Sequence, residues 1–204
     1  MLLRPERTFM RVKVMSDEQY SVYCIAMNKF EPRLKAIVSL MLFCGLRNGE
    51  VCSLNWKDVF VNGFITNSIY IKEVNSKTGV PRHVSVPSIC KDALEGYLKE
   101  VTLSGRSPSI DDPLFITKNR KIRLQPKDLQ RFISVTSFSS LGAQFTPHAL
   151  RHTYATRVLR FSNIRVVQML LGHKNLHSTE IYTHPNSSEM QSAVDRAFTE
   201  GGKG

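Results

Sequence analysis

The chain has 204 residues, 42% of them hydrophobic, which suits one domain with a buried core. Lysine and arginine number 28 against 17 aspartates and glutamates, a net charge of +11 spread along the chain rather than gathered in a tail. That balance favours a polyanionic partner, nucleic acid foremost, bound across a broad face. The longest nearly apolar stretch, Ala36 to Leu46, is too short to span a bilayer, and Met1 to Met15 mixes charges without the apolar run of a signal peptide. Cys24, Cys44, Cys52 and Cys90 form no CxxC pair and read as reduced, structural thiols, so a cytoplasmic location is expected.

Residues 1–15 read as a basic N-terminal extension. Ser16 with Gln19 forms a capping box that opens a helix running to about Asn28. A second helix is expected from Glu31 to Phe43, apolar round most of its circumference and therefore buried, with Gly45 ending it. Arg47 then opens a further turn of helix toward Leu54. Ser68 to Val74 and His83 to Val86 alternate at period two, which predicts a β-hairpin with Lys77 near its tip. Pro87-Ser88 starts a helix to about Val101, and a Ser/Gly/Pro/Asp linker follows to Pro113. Leu114-Phe115-Ile116 suggests a short strand ahead of a basic stretch, Lys118 to Arg131. Thr146 as N-cap with Pro147 behind it predicts a helix to Phe161. Another runs from Asn163 to Leu171 with Gly172 as its C-cap, a third carries Tyr182, and an amphipathic helix spans Ser187 to Phe198. The expected class is α+β, mainly α-helical with a small antiparallel β-sheet.

Chemistry-bearing residues fall along this frame in order. Arg47 stands in Cys44-Gly45-Leu46-Arg47-Asn48-Gly49-Glu50, and Lys77 in Ser76-Lys77-Thr78-Gly79. His148 and Arg151 share Thr146-Pro147-His148-Ala149-Leu150-Arg151-His152, His173 closes Leu170-Leu171-Gly172-His173, and Tyr182 comes nine residues later. Each has an ordinary reading alone. Arg47 can pair with Glu50, Lys77 can be a solvated turn residue, and a lone helical tyrosine usually packs. His148 with His152, and His173 with His177, are spaced like zinc pairs, yet no carboxylate or thiol accompanies either at a recognised spacing, so no metal is expected.

Together, these motifs resemble the catalytic domain of the tyrosine recombinases, the phage-integrase and Xer-like family. The resemblance covers about Ser16 to His184 and implies their DNA breaking-rejoining fold. It implies that Tyr182 attacks a DNA phosphodiester to give a 3′-phosphotyrosine and a free 5′ hydroxyl, with no cofactor. Guanidiniums match phosphate oxygens with paired hydrogen bonds and stay charged, so Arg47, Arg151, His148 and His173 would hold the phosphate and Lys77 would protonate the leaving oxygen. Glu50 would orient Arg47, sharing its helical face. Lys118, Arg120, Lys121, Arg123, Lys127 and Arg131 are expected to contact the phosphates of double-stranded DNA. The domains expected are 16–185 as the catalytic unit and 186–204 as a helix and tail that link subunits into a tetramer on DNA. Family members usually carry a further N-terminal helical domain on the duplex, which residues 1–15 do not match. Two other readings stay open, a type IB topoisomerase that relaxes supercoils and a non-catalytic DNA-binding module. A metal-dependent nuclease using the histidine pairs is a weaker third.

Overall fold

The computed structural model describes residues 13–72, 81–119 and 122–172. Helix α1 (Asp17–Met27) begins as the sequence spacing predicts. The Ser16 hydroxyl accepts from the Gln19 amide at 3.1 Å while the Gln19 side chain accepts from the Ser16 amide at 3.0 Å. Helix α2 (Pro32–Leu42) forms the centre of the domain, with Ala36, Ile37, Val38, Leu40 and Met41 all fully buried. It packs against α5 (Ser88–Leu103) on one side and α7 (Pro147–Leu159) on another. Burying each larger aliphatic side chain contributes roughly 1.5–3 kcal/mol, which is why this helix tolerates so little polarity.

Between α2 and α5 lie two short helices, α3 (Asn48–Ser53) and α4 (Trp56–Val59), and two separate antiparallel pairs of strands. The first pair, β1 (Phe60–Val61) and β2 (Phe64–Ile65), turns on Asn62 and Gly63 with φ of 52° and 87°. An Asn-Gly turn of that hand is the favoured two-residue hairpin, and it lies outside the strands expected from alternation. The second pair, β3 (Ser68–Ile71) and β4 (Arg82–Ser85), falls where the two strands were expected, β4 one residue earlier, while the tip of the hairpin lies outside the described residues. Its register sets Ile69 opposite Val84 and Ile71 opposite Arg82, all four facing the core, while Tyr70 and His83 face solvent. Period-two alternation therefore turns an arginine inward.

Leu114, Phe115 and Ile116 form no strand. All three are buried in succession rather than alternately, and only isolated bridges flank them, Asn55 with Pro113 and Ile116 with Arg123. Pro113 has no N–H to extend a ladder. The segment instead seals the core: Phe115 stacks on Tyr97 with ring centroids 5.4 Å apart, and Tyr97 stacks on Trp56 at 5.7 Å. The end of the basic stretch lies in α6 (Pro126–Leu141), which packs on α1 and α3 and ends at Gly142 with φ of 64°. Helix α8 (Ile164–Leu171) follows α7 and rests on β4. Among the described residues no helix is long and apolar enough to cross a membrane. The expected third and fourth helices, with Tyr182 and with Ser187 to Phe198, lie outside the described residues, as do Lys77, Arg120, Lys121 and His173.

Candidate active site

Two turns of chain bring the site together. At the end of α2, Gly45 adopts φ of 65°, and a Cβ there would sit 2.4 Å from the Tyr154 ring. Only glycine meets both demands, and the turn it makes delivers Arg47 to the head of α3. At the start of α7, the Thr146 hydroxyl accepts from the Ala149 amide at 3.2 Å, and Pro147 supplies the first helical residue. The helix repeat then sets His148 and Arg151 one turn apart on one face.

Arg47 and Arg151 meet around Glu50, which is 1% exposed. Arg47 donates from Nη1 to Glu50 Oε1 at 2.8 Å and from its own amide to Oε2 at 2.8 Å. The Arg151 guanidinium lies 3.8 Å from Oε2 and donates to the carbonyls of Gly45 at 2.5 Å and Leu171 at 2.6 Å. These bonds fix the plane of the Arg151 guanidinium. Glu50, expected to orient Arg47, thus accepts from it through both oxygens.

A third guanidinium, which sequence reasoning passed over, completes the cluster. Arg82 on β4 donates from Nη1 to Glu50 Oε1 and from Nη2 to Oε2, both at 2.8 Å, and from Nε to the Leu170 carbonyl at 2.9 Å. The signal lay in the alternation of β4, which turns position 82 to the same face as Val84. Burial by itself would push the Glu50 carboxyl up. The hydrogen bonds and charge of Arg82, then the charge of Arg151 and the Arg47 amide, outweigh it and hold the group at about 2. Glu50 is therefore ionised at any working pH, and the cluster carries positive charge in excess of the one carboxylate.

His148 is exposed at the first turn of α7, its ring centroid 6.4 Å from that of His152. Burial, followed by the charges of His148 and Arg151, pushes His152 down to about 4, so that ring is neutral near pH 7. An anion in this place would meet a helix N-terminus beside Arg47 and Arg151. Among the described residues no three His, Cys, Asp or Glu side chains converge as a metal centre requires.

The basic stretch divides by role. Lys127 and Arg131 lie exposed on α6, and Lys118 is exposed and ion-paired with Glu31. Arg123 turns inward instead, donating to the Cys52 and Leu54 carbonyls at 3.0 Å and to Asn55 Oδ1 at 2.6 Å. It acts as a strut between the α3–α4 turn and the segment before α6.

The model of the phage integrase family matches residues 13–189. A tyrosine recombinase of Pseudothermotoga lettingae is 35% identical over 167 residues, 81% of this chain and 54% of that protein. The crystal structure of XerA recombinase superposes with a TM-score of 0.72 at 31% identity, over 91% of this chain and 65% of that one. The Tn1549 transposon integrase, solved in complex with transposon right end DNA, shares the fold with a TM-score of 0.67 at 23% identity, over 95% of this chain and 68% of that one. The chain thus spans little more than half the length of the first of these relatives.

Proposed function

The chain belongs to the phage integrase family of tyrosine recombinases, and from that membership we propose that it is the catalytic domain of a site-specific DNA recombinase with Tyr182 as nucleophile. In this reading residues 16–185 are the catalytic unit, working on DNA in the cytoplasm. The Tyr182 phenolic oxygen attacks the scissile phosphorus, a P–O bond forms to tyrosine, and the bond to the 5′ oxygen breaks. Lys77 supplies the proton that the departing 5′ oxygen takes up. The phenol, with an ordinary pKa of about 10, loses its own proton with help from His173 acting as a base. A 5′ hydroxyl of the partner strand then attacks the phosphotyrosine, releasing Tyr182 and completing exchange with no net change in bond count.

The observation that carries this reading is the convergence on one buried carboxylate of Arg47, at the head of α3, and Arg151, on the helix that also bears His148. Guanidiniums fixed by carbonyls and carboxylate need no reorganisation when charge builds on the non-bridging oxygens. Each such donor typically lowers the barrier by roughly 3–4 kcal/mol. The DNA complex of the Tn1549 integrase, which shares this fold, supports duplex DNA as the partner. Exposed Lys127 and Arg131 would hold flanking phosphates, and residues 186–204 would join subunits into a tetramer on DNA.

The test uses a pool of duplexes nicked next to randomised sequence, so that cleavage releases a short fragment and traps the ester. The expected result is a denaturant-resistant protein–DNA adduct whose nucleotide maps to Tyr182, and none with Tyr182→Phe. An adduct on another side chain, or one retained by Tyr182→Phe, refutes the assignment.

A further inference from the structure

Arg82 stands outside every role given above, yet it ties β4 both to Glu50 and to the end of α8. It is 7% exposed, and its planar fork occupies both oxygens of Glu50. Each of those oxygens also accepts one bond from Arg47, through Nη1 on Oε1 and through the amide on Oε2. A carboxylate held by one arginine can swivel about its χ angles; one clamped along its far edge by a second fork cannot. Arg47 Nη1 is then left a single direction in which to donate, which aims the rest of that guanidinium. Among the described residues, Arg47 makes no other side-chain hydrogen bond.

The same arginine reaches a second element. Its Nε donates to the Leu170 carbonyl near the end of α8, and a Cβ on Gly172 would stand 2.9 Å from Arg82 Cδ. The chain therefore closes over Arg82 just before His173 in the sequence. In the other direction, β4 follows directly on the segment that contains Lys77. A buried ion pair adds little net stability over apolar side chains of equal volume, so stability alone is a poor account of a buried fork here.

We infer that Arg82 is a positioning residue for strand cleavage: its fork on Glu50 aims the Arg47 guanidinium, and its Nε bond fixes the end of α8 that leads into His173. This rests on the strand-cleavage reading above. Arg82 touches no substrate; it acts through Glu50, and its loss should be felt as a slower chemical step rather than weaker DNA binding.

The experiment measures single-turnover adduct formation from the nicked duplex, DNA affinity in a Tyr182→Phe background, and thermal unfolding. Arg82→Gln is expected to slow adduct formation by about 100-fold with affinity changed by less than about threefold. In an Arg47→Lys background the same change should cost less than about tenfold, because the group being aimed is already gone. The rate of Arg82→Gln should also fall more steeply than the parent's as pH drops below neutrality, since Glu50 then faces only Arg47 and Arg151 and takes up a proton more readily; the shared part of the decline belongs to the histidine base. Should Arg82→Gln fail to fold, Arg82→Lys keeps the charge without the fork, and a folded protein slowed by about tenfold or more supports the role. A parental rate in a folded Arg82 variant, or losses that simply multiply in the double variant, overturns the positioning role alone. A parent chain that binds DNA and forms no adduct overturns the strand-cleavage reading, and this inference with it.

Discussion

Replacing Glu50 by glutamine removes the one negative charge in a buried group of guanidiniums, and the cost can be worked from the structure. The carboxyl is held at about 2 against an ordinary 4.5. The folded state binds fewer protons than the unfolded chain between those values, so the stabilisation is complete above pH 4.5 and is lost as pH falls toward 2. That gap corresponds to about 3 kcal/mol at neutral pH, of which about 1 kcal/mol survives at pH 3. The glutamine amide adds a loss independent of pH, because its own N–H groups face the donors of Arg47 and Arg82. Urea unfolding followed by circular dichroism, run on both proteins at pH 7, 5 and 3, separates the two. His152 titrates in this range in both and cancels in the difference. The stability gap between parent and Glu50→Gln is expected to shrink by about 2 kcal/mol from pH 7 to pH 3. A gap that is the same at all three pH values refutes the electrostatic account of the cluster.

Gly45→Ala forces both a left-handed alanine and a Cβ into the Tyr154 ring, and should cost about 2–5 kcal/mol in urea unfolding; a loss below about 0.5 kcal/mol would mean the turn relaxes freely. Arg123→Gln should lower stability by about 2 kcal/mol through its lost carbonyl bonds and leave the salt dependence of DNA binding unchanged. Lys127→Gln should do the reverse, reducing the slope of log affinity against log salt by about one. His152 is depressed in the folded state, so stability should decline as pH falls from 6.5 toward 4; His152→Gln should flatten that part of the profile, and an unaltered profile would show that another group is responsible.

Local signals read most directly where the chain's own chemistry closes them. The Ser16–Gln19 box, the Thr146–Pro147 start and Gly172 at the end of α8 involve residues a few positions apart, so spacing alone reveals them. Two further local signals were present and unused: Asn62-Gly63 between Phe60-Val61 and Phe64-Ile65, and Pro126 with Leu129, Phe132 and Ile133 at helical spacing before Gly142. In the second case the density of lysine and arginine masked the apolar stripe. Arg82 was hidden for a different reason. Its meaning depends on a register set against Ile71 and on a carboxylate thirty-two positions earlier, and neither can be read from neighbours in sequence. The same holds for Arg123, whose acceptors are main-chain carbonyls that any sequence would supply. Arg47, Arg151 and His148 were legible because one turn of helix and one glycine bend suffice to aim them.

The ring of guanidiniums about Glu50 has an unbalanced number of members. With one anion among three cations, mutual repulsion persists in a largely buried cluster, and main-chain dipoles rather than counterions hold the like charges at their stations. Such a nest is a cocked electrostatic spring. Whatever oxyanion settles there relaxes it, so occupancy should tighten the whole surrounding scaffold and register as added heat resistance even for free inorganic phosphate.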